Sequence, residues 1–273
     1  MANKKIGLAL GGGSARGLAH IGVLEVIERE DIGIDLVTGT SAGAIIGALY
    51  AAGVNPAVMK EYVLSFDKAQ RRRLLDLTLP KSGFIQGEKI VEEMKNLMGG
   101  DKTFAELRKP FACVACDIVN GEEVVLSHGS VCDAVHASIA VPLVFKPVKI
   151  NGRYLVDGGL MNEVPVSVVK NMGAEFIVAV NVIPPKPRQT CIDKDGKPDD
   201  TEPPGIITVM MNTFDISSMC RAEASMIGAD VIIQPNTACY KPTDFAKAGA
   251  LILQGEMAAI DAVLDIRRLM SKW

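Results

Sequence analysis

Hydrophobic positions along the chain follow two patterns that alternate with each other. Short apolar runs of strand length occur at Lys5–Leu10, Asp35–Thr38, Phe111–Val119, Glu123–Leu126, Arg153–Val156, Glu175–Val182 and Val231–Gln234. Between them, apolar residues recur at helical spacing over Ala15–Glu30, Ala42–Ala52, Pro56–Phe66, Gly87–Met98, Val131–Ile139, Val164–Met172, Ile206–Ile227 and Ala246–Met270. Apolar strands that alternate with helices predict an α/β fold with helices layered on a largely parallel sheet. The turn pair Asn120-Gly121 before the fourth strand predicts that part of the sheet is antiparallel.

Composition and charge narrow the classes of protein to consider. The 273 residues are 48% hydrophobic and 22% charged, as in an ordinary globular chain. A net charge of -3 gives no basic field, so we expect no nucleic-acid partner. No signal peptide or membrane span is recognisable, which predicts a cytoplasmic location. The mean hydropathy of +0.24 is high, so peripheral contact with the inner membrane surface stays open.

The segment 184–204 differs from the rest of the chain in composition. It holds six of the fourteen prolines together with several charges and few apolar residues. Proline opposes regular structure and the charges favour water, so we expect a flexible loop inserted within one domain. The run Arg71-Arg72-Arg73 is typical of a solvated helix face, or alternatively of contact with an anionic surface.

The cysteines and histidines do not predict a metal site. Cys113 and Cys116 have the spacing of a redox motif, but on a strand residues three apart point to opposite faces. No second cysteine or histidine pair completes a ligand set. We therefore expect reduced, structural cysteines and no metal.

The pentapeptide Gly39-Thr40-Ser41-Ala42-Gly43 matches G-x-S-x-G, the nucleophile-elbow pattern. It follows a short apolar strand and begins a predicted helix, which is the setting that holds a serine in a tight turn. The helix N-terminus also favours negative charge that develops beside the serine.

A second candidate element, Gly11-Gly12-Gly13-Ser14-Ala15-Arg16-Gly17, directly follows the first strand. Clustered glycines let backbone N–H groups point at an anion. A dinucleotide site would need glycine where Ser14 stands, and a phosphate-binding loop would need lysine where Leu18 stands. An oxyanion hole needs only backbone donors beside a nucleophile, and Ser41 is predicted on the neighbouring strand.

A nucleophilic serine needs a base, and the histidines are poor candidates. His136 falls within an apolar helix and His20 at the start of another, so both are expected to be structural, and no strand-end acid precedes His128. The acid Asp157 instead ends a strand within Asp157-Gly158-Gly159. It is either a turn residue or a base whose pKa is raised by burial near Ser41.

In this order the three elements resemble those of the patatin-like phospholipase family, most closely its small bacterial members and the catalytic domain of neuropathy target esterase. The resemblance implies a three-layer α/β/α fold with a partly mixed sheet and one catalytic domain over 1–273. It implies a Ser-Asp dyad without histidine, metal or cofactor, with Ser41 as nucleophile and Asp157 as base. Around the dyad it implies an oxyanion hole at Gly11, Gly12, Gly13 and Ser14, loop support from Arg16 and Gly17, an elbow at Gly39 and Gly43, and an acid-motif turn at Gly158 and Gly159. Ser14 stands where many relatives carry glycine.

The function implied is a serine esterase that hydrolyses acyl esters of lysophospholipids or phospholipids. Two alternatives stay open: a transacylase that uses the same acyl-enzyme, and a non-enzymatic lipid-binding regulatory protein. The apolar segments Ile206–Met211 and Ala250–Met257 are candidates for lining an acyl pocket or for ordinary helix packing. Acyl-chain length, headgroup and oligomeric state have no signature in the sequence.

Overall fold

Strands and helices alternate along most of the chain. The computed structural model describes residues 4–67, 70, 87–142, 144–185 and 205–272. The strands are β1 (Ile6–Leu10), β2 (Leu36–Thr40), β3 (Phe111–Asp117), β4 (Glu122–Leu126), β5 (Val148–Ile150), β6 (Arg153–Asp157), β7 (Phe176–Val180) and β8 (Val231–Ile233). Within the described ranges the α-helices are α1 (Ala19–Arg29), α2 (Ala42–Ala51), α3 (Pro56–Ser65), α4 (Glu88–Met98), α5 (Val131–Ser138), α6 (Val166–Asn171), α7 (Ile206–Ser225) and α8 (Ala248–Met270).

All eight strands belong to one mixed sheet. Strands β8, β7, β1, β2 and β3 run parallel to their neighbours, in that order. Strands β4 and β6 both pair antiparallel with β3, and β5 pairs antiparallel with β6. This confirms the predicted parallel sheet with an antiparallel part.

The register on β3 brings the ends of two distant strands together. Thr40, the last residue of β2, pairs with Val114. Asp157, the last residue of β6, pairs with the next residue of β3, Ala115. The residue after β2 and the last residue of β6 therefore meet over the same stretch of β3.

Helices cover both faces of the sheet. On one face Leu8, Leu10 and Val178 belong to a core cluster with residues of α1, α2 and α8. On the other face Ala9, Ile177 and Ala179 form a cluster with residues of α6 and the segment before it. Neighbouring residues of a strand point to opposite faces, so an apolar strand buries both of its sides.

Two glycines let α1 and α8 pack closely. A side chain at Gly22 of α1 would overlap the carbonyl oxygen of Ile252, and one at Gly255 of α8 would overlap the carbonyl oxygen of Ala19. The absence of Cβ atoms at both positions allows the two backbones to approach each other.

Some local predictions were wrong. The helix predicted from Ala15 is a 3-10 turn over Ser14–Leu18 followed by α1, because Gly13 and Ser14 both adopt positive φ. The short strand β5 was not predicted, since three residues carry too little pattern. The loop 184–204 lies outside the described residues beyond Pro185, and so do Arg71, Arg72 and Arg73. No helix among the described residues is long and apolar enough to cross a membrane.

Candidate active site

Ser41 stands in the turn between β2 and α2, in a conformation that few non-glycine residues adopt. Its φ is 52° and its ψ is -121°. A side chain at Gly39 would overlap the carbonyl oxygen of Gly43, and one at Gly43 would overlap the carbonyl oxygen of Leu10. The two glycines thus leave the space that the strained turn requires, as the G-x-S-x-G pattern predicts.

Asp157 lies directly against Ser41. The Ser41 hydroxyl donates a hydrogen bond of 2.5 Å to Asp157 Oδ2. The other carboxylate oxygen, Oδ1, accepts a bond of 2.8 Å from the amide of Gly159. A side chain at Gly158 would overlap the carbonyl oxygen of Val114, so this turn packs tightly on β3. The structure therefore joins the serine and the acid that the sequence singled out, with no histidine between them.

Ser138, which the sequence analysis missed, fixes the backbone of the elbow. Its hydroxyl accepts a hydrogen bond of 2.9 Å from the amide of Ser41 and donates one of 2.6 Å to the carbonyl oxygen of Val114. Ser138 is fully buried at the last residue of α5. A serine at a helix end carries no sequence signal for this contact, which depends on how α5 packs on β3.

The glycine-rich loop passes beside Ser41, but its amides are not equivalent. Those of Gly11 and Gly12 donate to the carbonyl oxygens of Val180 and Glu163, both at 3.0 Å. The amides of Gly13 and Ser14 lie at the start of the 3-10 turn, where N–H groups have no hydrogen-bond acceptor within the turn. Among the four predicted oxyanion residues, Gly13 and Ser14 are thus the ones whose amides are open to a ligand.

Arg16 anchors the loop from behind. Its guanidinium makes two hydrogen bonds to the carboxylate of Asp215 on α7, at 2.7 and 3.2 Å, and its Nε donates to the carbonyl oxygen of Tyr240 at 2.9 Å. A side chain at Gly17 would overlap that of Ala42. Arg16 and Gly17 therefore connect the loop to α7 and to the elbow.

The three histidines lie away from the serine hydroxyl. His20 is buried, its Nε2 lies 2.8 Å from the carbonyl oxygen of Gly11, and burial lowers its pKa to about 4. His136 is half-buried near Gly87, and the exposed His128 bonds Ser127. His20 thus supports the glycine-rich loop as a neutral ring.

Burial sets the basicity of Asp157. It raises the pKa of the carboxyl group to about 6, although the hydrogen bonds from Ser41 and Gly159 and the charge of Arg221 act in the opposite direction. A pKa near the working pH suits a general base. In the described part of the chain no group of three His, Cys, Asp or Glu residues could hold a metal ion.

Comparison with known proteins decides the family. The model of the patatin-like phospholipase family matches residues 8–170, which include Ser41 and Asp157. The chain belongs to this family.

The chain spans about half the length, or less, of the curated relatives that it matches. An uncharacterised NTE family protein of Mycobacterium tuberculosis is 33% identical over 178 residues, which are 65% of this chain and 49% of that protein. Lysophospholipase NTE1 of Candida albicans is 32% identical over 188 residues, 67% of this chain and 13% of that protein. Among solved structures, VipD from Legionella pneumophila has a TM-score of 0.50 at 14% identity, over 96% of this chain and 66% of that one, which supports the patatin-like α/β/α fold.

This patatin-like chain has an apolar pocket next to the elbow. Its cavity volume is about 170 Å³, and it is lined by Gly17 and by Ala42, the residue directly after Ser41. The other lining residues are mostly aliphatic or aromatic. They come from α1, α2, α3 and α4 (Ile21, Ile45, Ile46, Leu49, Met59, Tyr62, Val63, Ile90, Glu93, Met94 and Leu97) and, outside these helices, are Leu18, Phe66 and Phe245. Of the two segments considered for an acyl pocket, Ile206–Met211 falls mostly outside the side chains that the structure describes. Ala250–Met257 does not line this pocket, and its Leu251, Ile252 and Gly255 are buried in helix packing.

Proposed function

We propose that this chain is a serine hydrolase of lipid acyl esters, with lysophospholipids or phospholipids as substrates. The observation that carries the proposal is the 2.5 Å hydrogen bond from Ser41 to Asp157 beside an apolar pocket. The name of the related lysophospholipase from Candida albicans points to the same class of substrate.

The proposed reaction proceeds through an acyl-enzyme. The Ser41 oxygen attacks the ester carbonyl carbon while its proton passes to Asp157. The tetrahedral intermediate then collapses, the bond to the alcohol breaks, and the departing alcohol takes the proton from Asp157. Water, deprotonated by Asp157, then attacks the acyl-Ser41 carbonyl. The bond to Ser41 breaks, the fatty acid is released, and Asp157 returns the proton to the Ser41 oxygen.

Backbone amides would stabilise the oxyanion of each tetrahedral intermediate. The available donors are the amides of Gly13 and Ser14 and that of Ala42 at the N-terminus of α2. The amide of Ser41 itself is occupied by Ser138, so it is not assigned to the oxyanion.

The apolar pocket would accept the acyl chain. Burial of each methylene group contributes about 0.8 kcal/mol, so an apolar pocket next to the nucleophile favours long acyl chains. Tyr62 and Glu93, its two clearly polar lining side chains, are hydrogen-bonded to each other, which lessens the cost of placing an alkyl chain beside them.

A fluorophosphonate probe and two variants test this function. Wild-type protein should be labelled at Ser41 and should release fatty acid from lysophospholipid, and Ser41→Ala should lose both properties. Asp157→Asn should lower the rate by a factor of about 10²–10⁴, as expected for loss of a general base. The matched control Asp261→Asn, at an exposed position of α8, should keep the wild-type rate.

Product analysis separates the alternatives. A hydrolase yields free fatty acid with or without an added acyl acceptor, whereas a transacylase yields an acylated acceptor. Failure of the probe to label Ser41 would contradict the enzymatic proposal and favour a lipid-binding role.

A further inference from the structure

A third carboxyl group, that of Glu163, lies within the proposed active site and has no part in the dyad mechanism. Glu163 follows Asp157 by six residues and is 2% exposed. Its Oε2 has no hydrogen-bond partner among the described residues. A buried carboxylate oxygen without a partner is costly, so its position calls for an explanation.

The Glu163 carboxyl occupies space that two motif glycines leave empty. A side chain at Gly12, in the glycine-rich loop, would overlap Glu163 Oε1 and would lie 3.4 Å from Cβ of Ser41. A side chain at Gly159, in the acid-motif turn, would lie 2.7 Å from Glu163 Oε2 and 3.1 Å from Asp157 Oδ1. The carboxyl group thus fills the gap between the loop beside the nucleophile and the turn that holds the base.

The backbone of Glu163 also contacts the glycine-rich loop, and it links this loop to α7. Its carbonyl oxygen accepts the amide of Gly12 at 3.0 Å, and its amide donates to the Ser225 hydroxyl on α7 at 3.2 Å. The side chain and the main chain of one residue therefore contact the loop, the turn and α7.

The charged groups that face Glu163 are Asp157 at the end of β6, and Arg221 and Asp215 on α7. Asp215 is already paired with Arg16 of the loop. Burial, followed by the negative charge of Asp157, raises the pKa of Glu163 to about 8, while the Ser218 hydroxyl and Arg221 act in the opposite direction. Between about pH 6 and pH 8, Asp157 is therefore ionised while Glu163 keeps its proton.

We propose that Glu163 is a positioning residue for ester hydrolysis, a carboxyl group that must stay uncharged to hold the oxyanion loop against the turn that carries Asp157. If Glu163 were ionised, it would place a second negative charge beside Asp157 and beside the developing oxyanion. Repulsion between like charges would disfavour both arrangements. This inference rests on the proposed function, since it assigns a role within that reaction.

The test compares Glu163→Gln, which keeps the shape but cannot ionise, with Glu163→Ala, which empties the gap. The control is Glu223→Gln, which removes an exposed carboxyl group from α7. Rates for an aryl ester are measured from about pH 5 to about pH 10, with the rate of Ser41→Ala subtracted at each pH.

Wild type and Glu223→Gln should lose kcat as pH rises through about 8. Glu163→Gln should keep kcat within about threefold at pH 7 and should lose this alkaline decline. Glu163→Ala should lose about tenfold or more in kcat at pH 7 with little change in KM, because the loop is no longer held in place.

An alkaline decline that persists unchanged in Glu163→Gln, or a wild-type kcat in Glu163→Ala, would overturn the inference. Should the Glu163 variants fail to fold, the pH dependence of fluorophosphonate labelling of wild-type Ser41 decides, since it must show the same decline above about pH 8. Labelling that stays constant to high pH would overturn the assignment. Activity that survives in Ser41→Ala contradicts the proposed function itself, so the two failures are distinguishable.

Discussion

The hydroxyl of Ser41 donates a 2.5 Å hydrogen bond to Asp157, a residue 116 positions further along the chain. The contact follows from strand register, because β2 and β6 both end against neighbouring residues of β3. The turn that carries Ser41 and the turn that carries Asp157 are thus both held in place by the sheet.

We expect the activity to rise with pH through about 6, where Asp157 loses its proton. Arg221 opposes the effect of burial, so Arg221→Gln should shift the midpoint of this rise to higher pH. Profiles of kcat/KM against pH measure the midpoint in the free enzyme. The control Arg153→Gln, at a half-exposed arginine of β6, should leave it in place. An unchanged midpoint in Arg221→Gln would show that its charge does not act on the base.

Ser138→Ala tests the support of the elbow. The variant leaves the buried amide of Ser41 without its acceptor, which costs about 1–3 kcal/mol of unfolding free energy. We expect kcat to fall as well, since the serine loses its backbone anchor. Ser130→Ala removes the N-cap of the same helix and should cost about 1 kcal/mol in stability without affecting kcat. Equal kcat values in the two variants would contradict a specific role for Ser138.

Sequence motifs singled out Ser41 and Asp157 because each lies at a strand end within a short pattern of glycines. Ser138, Glu163 and Arg221 have no such pattern. Each reaches the site only because α5, the segment after Asp157 and α7 pack against the sheet, and packing between distant segments is not encoded in local spacing. Glu163 stands between Asn162 and Val164, a setting that matches no catalytic pattern.

The fold, like the site, was predicted only where a local sequence pattern specifies the structure. Long apolar strands gave the parallel sheet, whereas the 3-10 turn at Ser14 depends on backbone torsions that an apolar pattern cannot specify. The sequence left Ala250–Met257 open between acyl-pocket lining and ordinary helix packing, and the structure shows packing. The apolar pocket is instead lined mainly by α1 to α4, because pocket location depends on how helices pack.

The glycine at position 43 should be irreplaceable. In Gly43→Ala the new methyl group would overlap the backbone oxygen of Leu10, which cannot rotate away. We expect a loss of about 1–3 kcal/mol or more in stability and loss of activity. Gly33→Ala is the matched control, since a methyl group there meets no atom within 4 Å. Chemical denaturation and ester hydrolysis measure both effects, and a stable, active Gly43→Ala would refute the packing argument.

Filling the pocket should change the preference for acyl chains. Ile45 lies one turn of α2 beyond Ser41 and lines the pocket. We expect Ile45→Trp to lower kcat/KM for long-chain aryl esters far more than for short-chain ones, because the indole takes the volume of the alkyl chain. Leu264→Trp, at a position 77% exposed on α8, should leave the ratio unchanged. A parallel loss for all chain lengths in Ile45→Trp would indicate damage to the elbow and would contradict an acyl pocket.

Glu163→Gln should also alter how stability depends on pH. The folded-state pKa of Glu163 is about 8, raised from 4.5, so the native protein holds a proton that the unfolded chain releases across this interval. As pH rises from about 4.5 to about 8, the buried Glu163 therefore lowers the free energy of unfolding of wild type. Above about pH 8 this contribution does not change further. Glutamine does not ionise. The free energy of unfolding of Glu163→Gln relative to wild type should therefore rise by several kcal/mol over this pH range and should not rise further at higher pH. Urea unfolding at about pH 5, 7 and 9, with Glu223→Gln as control, measures the difference. A constant difference at all three pH values would mean that Glu163 is not buried as an uncharged acid.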